Sequence, residues 1–237
     1  VPELTWILFL RILDEREMRE AEEAEAVSIH YVPSLEEPYR WQDWAAPDGA
    51  KRTALSTGAL GDFFNFVNSD LIPHLKRLKD KPNATPRQKV LSEIFSGVER
   101  TRIDTERNLL DILDKVNDIT VEAVDNTHVF TLSQVYEGLL LKMGEKGNDG
   151  GQFFTPREII RAMVRVIDPG IGETIYDPGC GTGGFLAQSF EHMTGINNAN
   201  IASPDQLETL KQRTFYGREK DNVIYPISLA NLVLHGI

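Results

Sequence analysis

Asp177-Pro178-Gly179-Cys180-Gly181-Thr182-Gly183-Gly184-Phe185 decides how the last third of this chain folds. Thr174, Ile175 and Tyr176 lead into it as a short β-prone run, and Phe185 to Phe190 leave it with apolar side chains at helical spacing. The glycines therefore fall on a strand-to-helix turn opened by an acid. Without Cβ atoms, Gly179, Gly181, Gly183 and Gly184 leave room for a ligand close to the backbone, and the free N–H groups of the next helix favour an anionic group. The Lys-Ser/Thr pair that a P-loop uses for phosphates and Mg²⁺ is missing, which disfavours a triphosphate. A ligand with an amino-acid-like or ribose end fits better, although a plain tight turn would use glycine too.

Two further stretches narrow the choice. Thr214-Phe215-Tyr216-Gly217-Arg218-Glu219 reads as a second short strand ending in an acid, placed where a carboxylate can accept from both ribose hydroxyls. Glu219 follows Asp177 by 42 positions, against the roughly 20 of a dinucleotide fold. An insertion is therefore expected after the crossover helix, with turns at Asn197-Asn198-Ala199-Asn200 and Ser203-Pro204-Asp205. Upstream, Gly151-Gln152-Phe153-Phe154 runs into Thr155-Pro156-Arg157-Glu158, where Thr155 and Glu158 match a capping box around a proline at the first helical position. Ile159, Ile160, Met163, Val164 and Ile167 give that helix an apolar face, and Asp168-Pro169-Gly170 stops it. Phe153 and Phe154 form a hydrophobic staple, or one of them lines an adenine pocket.

Together these stretches, with Leu229-Ala230-Asn231-Leu232-Val233-Leu234-His235-Gly236-Ile237, resemble the modification subunits of type I restriction-modification systems. The resemblance is dense from Gly151 to Ile237 and weaker at Pro2 to Leu10 and Val135 to Leu140. It implies a Rossmann-like α/β methyltransferase domain and transfer of a methyl group from S-adenosylmethionine to the N6 amino group of adenine in DNA. By the family pattern Gly151, Gln152, Phe153, Phe154, Thr155 and Pro156, with Gly181, Thr182 and Gly183, hold the methionine part of the cofactor. Glu219 holds its ribose, and Asp177 and Gly179 complete the cofactor-binding set. The partners implied are DNA, a specificity subunit, a restriction subunit carrying motor and nuclease, and a second copy of the chain. The family's catalytic Asn-Pro-Pro-Phe/Tyr loop does not occur in the 237 residues, so no catalytic residue is assigned.

Organisation follows the same division. Residues 1–143 carry helical patterns at Leu4 to Glu25, Thr57 to Leu78, Arg87 to Val98, Glu106 to Asn117 and Ser133 to Met143, which predicts an all-α domain for subunit or DNA contacts. Residues 144–150 read as a polar, glycine-rich linker, and 151–237 as the first half of a parallel-sheet methyltransferase domain. Two strands leave an open sheet edge, so a longer parent chain is expected. Tyr31 to Ala50, with Pro33, Pro38 and Pro47 around Tyr39, Trp41 and Trp44, predicts an extended segment laid over a surface.

Charge fits a DNA enzyme least well. The net value is −11, and residues 1–50 account for −8 of it with twelve acids and four bases. Between Lys76 and Arg107 nine bases face five acids, which predicts either a positive surface for phosphate contact or a solvated helix face. The apolar run Trp6 to Leu10 is far below the ~20 residues of a membrane span, no signal-peptide pattern follows it, and Cys180 is the one cysteine. The expectation is a soluble cytoplasmic chain without a disulfide framework or a membrane partner. Cys180 inside the turn is expected to face the cofactor as a small packing residue rather than attack a cytosine ring. The five histidines show no metal-ligand spacing, so no metal is expected. A catalytically silent cofactor-binding scaffold and a nicotinamide-dependent Rossmann enzyme are the competing functions, the latter disfavoured by the absent G-x-G-x-x-G spacing.

Overall fold

The computed structural model describes residues 3–26, 28–119, 155–195 and 198–237, and the chain divides into two compact units, Val1–Leu132 and Ser133–Ile237. The expected helix Ser133 to Met143, the linker at 144–150 and the cofactor-segment residues Gly151, Gln152, Phe153 and Phe154 lie outside the described residues. Among those described, no helix is long and apolar enough to cross a membrane.

The first unit is helical. Helix α1 (Glu3–Ala26) buries an unbroken run from Thr5 to Leu10 and then sheds it: past Leu13 the helix is dominated by acids and arginines. Its outer half is held by i,i+4 ion pairs, Arg19 to Glu15 at 2.8 Å and Arg16 to Glu20 at 2.9 Å, each a surface increment of a few tenths of a kcal/mol. Trp41 to Trp44 forms a short helix, α2, with both indoles buried and ring contacts from Trp44 to Phe63 and Phe66. This corrects the extended-surface expectation for Tyr31 to Ala50. The prolines leave Trp41 to Trp44 free of Pro, and burying two indoles outweighs the extended preference of the flanks.

Helix α3 (Ala50–Ser56) ends at a glycine-bounded turn, and α4 (Asp62–Phe66) runs through a widened π turn at Val67–Leu71 into α5 (Ile72–Lys76). The helix expected from Thr57 to Leu78 is thus broken at its start by Gly58 and Gly61, the latter left-handed at φ +92°. It widens before Pro73, which has no N–H to return and whose ring crowds the preceding turn. Helices α6 (Pro86–Phe95) and α7 (Glu106–Asn117) follow the expected periodicity. Thr85 caps α6 with a reciprocal capping box to Gln88.

Two acids of α1, Glu17 and Glu20, meet a base from the later segment, Arg87. Both Arg87 guanidinium nitrogens reach Glu20, at 2.7 and 3.0 Å, and Arg16 and Tyr31 complete the cluster. Glu20 is driven down to about 2 by these donors against the opposing effect of its burial. Lys81 pairs with Glu36 at 2.6 Å. Of the nine bases read from the sequence, Lys81 and Arg87 are thus paired with acids, while Arg77, Lys79, Lys89, Arg100, Arg102 and Arg107 are left exposed.

Asp14 stands apart from this network. It lines a cleft with Leu10, Leu13, Glu17 and Tyr31, and burial pushes its carboxyl up from 3.8 to about 6 despite Arg11 nearby. A raised folded-state pKa means that the fold prefers the neutral acid, so stability falls as pH rises from about 4 through about 6. Asp14→Asn is expected to raise stability at pH 8 by ~1–3 kcal/mol and to have little effect at pH 4. Denaturant melts at the two pH values check this, and equal effects at both would sink it.

The second unit is α/β. Helix α8 (Arg157–Ile167) leads to strand β1 (Ile175–Asp177), helix α9 (Gly184–Thr194), helix α10 (Pro204–Thr209), strand β2 (Phe215–Gly217) and helix α11 (Ile224–His235). The strands pair in parallel, with Ile175 opposite Phe215, Tyr176 opposite Tyr216 and Asp177 opposite Gly217. Phe190, Met193 and Leu210 form the core that Ile175 and Phe215 pack against. The insertion between α9 and β2 is real, but Ser203-Pro204-Asp205 is a helix start and not a turn. Ser203 accepts from the Gln206 N–H and Pro204 opens α10, because serine before proline suits the N-cap and first positions as well as it suits a turn.

Two details of α8 also differ. Pro156, not Thr155, is the N-cap residue, its carbonyl accepting from Ile159 and Ile160, and no side chain caps the helix. The helix starts one residue later than the capping-box reading requires, which leaves the Thr155 hydroxyl out of register with the third helical N–H. Of the expected apolar face only Ile160 and Val164 are buried, while Ile159, Met163 and Ile167 remain exposed.

Candidate cofactor-binding site

Strand β1 ends on Asp177 and delivers the chain into the glycine turn; β2 ends beside it and delivers Glu219 two residues later. The two strand ends are stitched by backbone bonds, the Arg218 N–H donating to the Asp177 carbonyl at 2.9 Å and the Cys180 N–H to the Arg218 carbonyl at 3.0 Å. Both acids therefore stand at the carboxyl ends of adjacent parallel strands, where open α/β sheets bind ligands.

Each acid grips backbone. The Asp177 carboxylate accepts from the Gly179 N–H at 3.1 Å. Glu219 accepts from the Gly181 N–H through Oε2 at 2.9 Å, and from the Lys220 and Asp221 N–H groups through Oε1 at 2.7 and 2.8 Å. A carboxylate has about four acceptor positions, so Glu219 keeps capacity for a further donor while it fixes the turn. The sequence reading gave Glu219 a ligand role; its hold on Gly181, 38 residues away, adds a structural one.

The turn itself is left-handed at Gly181 (φ +53°) and Gly183 (φ +79°), the second of these capping α9. Space differs along it. A side chain on Gly179 would meet no atom within 4 Å, whereas one on Gly183 would lie 3.0 Å from Ser228 Oγ and 3.2 Å from Leu232 Cδ2. A Cβ on Gly184 would run into the Arg157 guanidinium. Gly179 thus faces open space, while Gly183 and Gly184 are wedged against α11 and the start of α8. Arg157 is the residue through which the helix entry near Thr155 and Pro156 reaches the turn, and the sequence reading missed it.

Thr182 is buried, 6% exposed, and its carbonyl accepts from Asn231 Nδ2 at 2.9 Å. Cys180 does not face outward from the turn. Its thiol lies 3.8 Å from Ser228 Oγ and beside Gly217, so it packs against α11 and the end of β2. Burial pushes the thiol up, with Asp177 and Glu219 adding to the effect, which leaves it a poor nucleophile. Asn231 and Ser228 were not singled out from the sequence; a lone asparagine within Leu-Ala-Asn-Leu-Val-Leu was the signal that could have found the first.

The residues present suit S-adenosylmethionine. An exposed glycine offers backbone approach at Gly179, a helix start supplies N–H groups for an amino-acid carboxylate, and Glu219 presents an acid suited to ribose hydroxyls.

Residues 127–237 match the family model described as N-6 DNA Methylase. Over 99% of its length the chain is 36% identical to the EcoEI type I restriction enzyme methylase subunit of Escherichia coli, of which it covers 44%. It is 28% identical to the EcoKI methylase subunit of Escherichia coli strain K12, of which it covers 39%. Among solved structures, one assigned as a modification subunit of a type I restriction enzyme from Vibrio vulnificus YJ016 superposes with a TM-score of 0.78 at 35% identity, over 99% of this chain and 48% of that one. A chain from a structural study of complex assembly in a type I R-M system gives 0.66 at 34% identity, over 99% and 43%. The chain therefore spans less than half the length of these relatives.

Proposed function

This chain belongs to the family of methylase subunits of type I restriction enzymes, and we propose that it is the N-terminal and cofactor-binding part of an S-adenosylmethionine-dependent DNA adenine N6-methyltransferase. The observation that supports this reading is the joint between Gly181 and Glu219, a carboxylate bonded to a glycine turn at the ends of two paired parallel strands. S-adenosylmethionine bound there supplies a methyl group already activated by a sulfonium leaving group, so the protein's share is positioning.

Within that reading the chain's residues divide the work. Glu219 takes the ribose hydroxyls, the open side of the turn at Gly179 admits the ligand backbone-close, and the N–H groups opening α9 face the amino-acid end. The family pattern assigns Gly151 to Pro156 to the methionine part of the cofactor. The target adenine is rotated out of its duplex to reach the methyl group, as base-modifying enzymes require. DNA, a specificity subunit and a restriction subunit are the proposed partners, with the exposed bases Arg100, Arg102 and Arg107 available for phosphate.

Calorimetric titration tests the cofactor assignment. S-adenosylmethionine is expected to bind and NAD to give no heat; binding of NAD alone would end the reading. Incorporation of labelled methyl into adenine of duplex DNA by the parent protein with its specificity subunit tests the reaction. Cofactor binding without incorporation would mark a silent scaffold.

A further inference from the structure

Helix α11 stands behind the glycine turn and touches its inner residues one by one: Ser228 meets Cys180 and crowds Gly183, and Asn231 donates to Thr182. Asn231 has no solvent exposure, and the Thr182 carbonyl it bonds lies 49 residues away in the sequence. That carbonyl belongs to the peptide joining Thr182 to Gly183, whose N–H in turn donates to the Cys180 carbonyl at 2.7 Å. Both polar ends of the peptide are therefore fixed. The peptide joining Cys180 to Gly181, whose carbonyl that N–H meets, is fixed at its own N–H by Glu219.

The helix that carries Asn231 is itself anchored. One turn on, His235 Nδ1 lies 2.8 Å from the Asn231 backbone carbonyl, and Nε2 lies 3.3 Å from Glu191 Oε1 on α9. Gln188 Nε2 donates to the other Glu191 oxygen at 2.8 Å, and Arg161 Nε of α8 donates to Gln188 Oε1 at 3.0 Å. A polar chain thus runs from α8 through α9 to α11, tying Asn231 to the helix into which the turn feeds. A buried carbonyl left without a donor costs about 1–3 kcal/mol, so without Asn231 the peptide plane would rotate to find one, and the amides next to it would move with it.

We propose that Asn231 is a positioning residue for cofactor binding: through the Thr182 carbonyl it sets the plane of the Thr182–Gly183 peptide, while Glu219 holds the turn at the Gly181 N–H. This rests on the cofactor reading above. The test substitutes a side chain of the same shape that donates only when protonated. Asn231→Asp is expected to bind S-adenosylmethionine about tenfold more weakly than the parent protein at pH 8. It is expected to recover most of that loss at pH 5.5, where a buried acid regains an O–H to donate. Affinities are compared with the parent at each pH, which removes any pH dependence the two share.

If the aspartate variant does not fold, Asn231→Ala carries the test. It is expected to weaken binding about tenfold, while Leu234→Ala, a buried neighbour on the same helix, lowers the melting temperature without changing affinity. A parent protein that fails to bind S-adenosylmethionine overturns the cofactor reading. A parent that binds, with Asn231 variants of equal affinity or an aspartate variant equally weak at both pH values, overturns the role of Asn231 alone.

Discussion

Glu219→Ala is expected to raise the dissociation constant for S-adenosylmethionine by about 5- to 150-fold, equivalent to ~1–3 kcal/mol. Two losses combine in that figure. One is the charge-assisted hydrogen bonding to ribose through the acceptor capacity that the backbone N–H groups leave free; the other is the grip of Oε2 on the Gly181 N–H, which holds the turn in its binding shape before the ligand arrives. Glu219→Gln separates them. The amide keeps one acceptor oxygen and the side-chain shape, but its NH₂ group opposes whichever backbone N–H it faces, at Gly181 or at Lys220 and Asp221. The glutamine variant is therefore expected to fall between the parent and alanine in affinity and to lose melting temperature as well. Calorimetry gives the affinities and thermal melts the stabilities. An unchanged dissociation constant in the alanine variant would remove Glu219 from the ligand; a lower melting temperature alone would leave it as a clamp on the turn.

That double use of Glu219 shows what the sequence could and could not say. The strand ends were legible because each is a short β-prone run closed by a glycine or an acid: β1 stops at Asp177, and β2 stops at Gly217 just before Glu219. The helices of the first unit with regular apolar spacing, α6 and α7, were legible for the same reason. What local pattern hid was tertiary. Trp41 and Trp44 sit among prolines that favour extended chain, yet partners distant in sequence, Phe63 and Phe66 on Trp44 and Asn117 on the Trp41 indole N–H, draw them into the core. Arg87 read as part of a run of surface bases and is instead held by Glu17 and Glu20 of α1. Arg157, Ser228 and Asn231 support the turn across distances that no spacing rule covers. Ser203 failed differently, because the same residues that make a turn also cap a helix.

The glycines of the turn divide by the same logic, and Gly183→Ala is the substitution expected to damage the second unit most. At φ +79° an L-residue with a Cβ pays strain of about 1–2 kcal/mol. The added carbon would also stand 3.0 Å from Ser228 Oγ and 3.2–3.3 Å from the Leu232 side chain, closer than ordinary contact, so these side chains must give by a few tenths of an ångström or α11 must shift. Displacing α11 disturbs the bond from Asn231 to Thr182 and the contact from His235 to Glu191 together. The melting temperature of the unit is expected to fall by about 10 °C or more, taking roughly 2 kcal/mol and the stability slope of a domain near 100 residues, and cofactor affinity should fall with it. Gly179→Ala provides the contrast. Nothing lies within 4 Å of its added carbon, so the melting temperature should hold within about 2 °C, as for most surface substitutions. Affinity should still drop, because the new methyl group occupies the space through which the ligand approaches the backbone. A Gly179 variant that binds S-adenosylmethionine as tightly as the parent would show that the ligand enters from another side of the turn. A Gly183 variant as stable as the parent would show that α11 yields more easily than its anchoring through His235 and Glu191 implies.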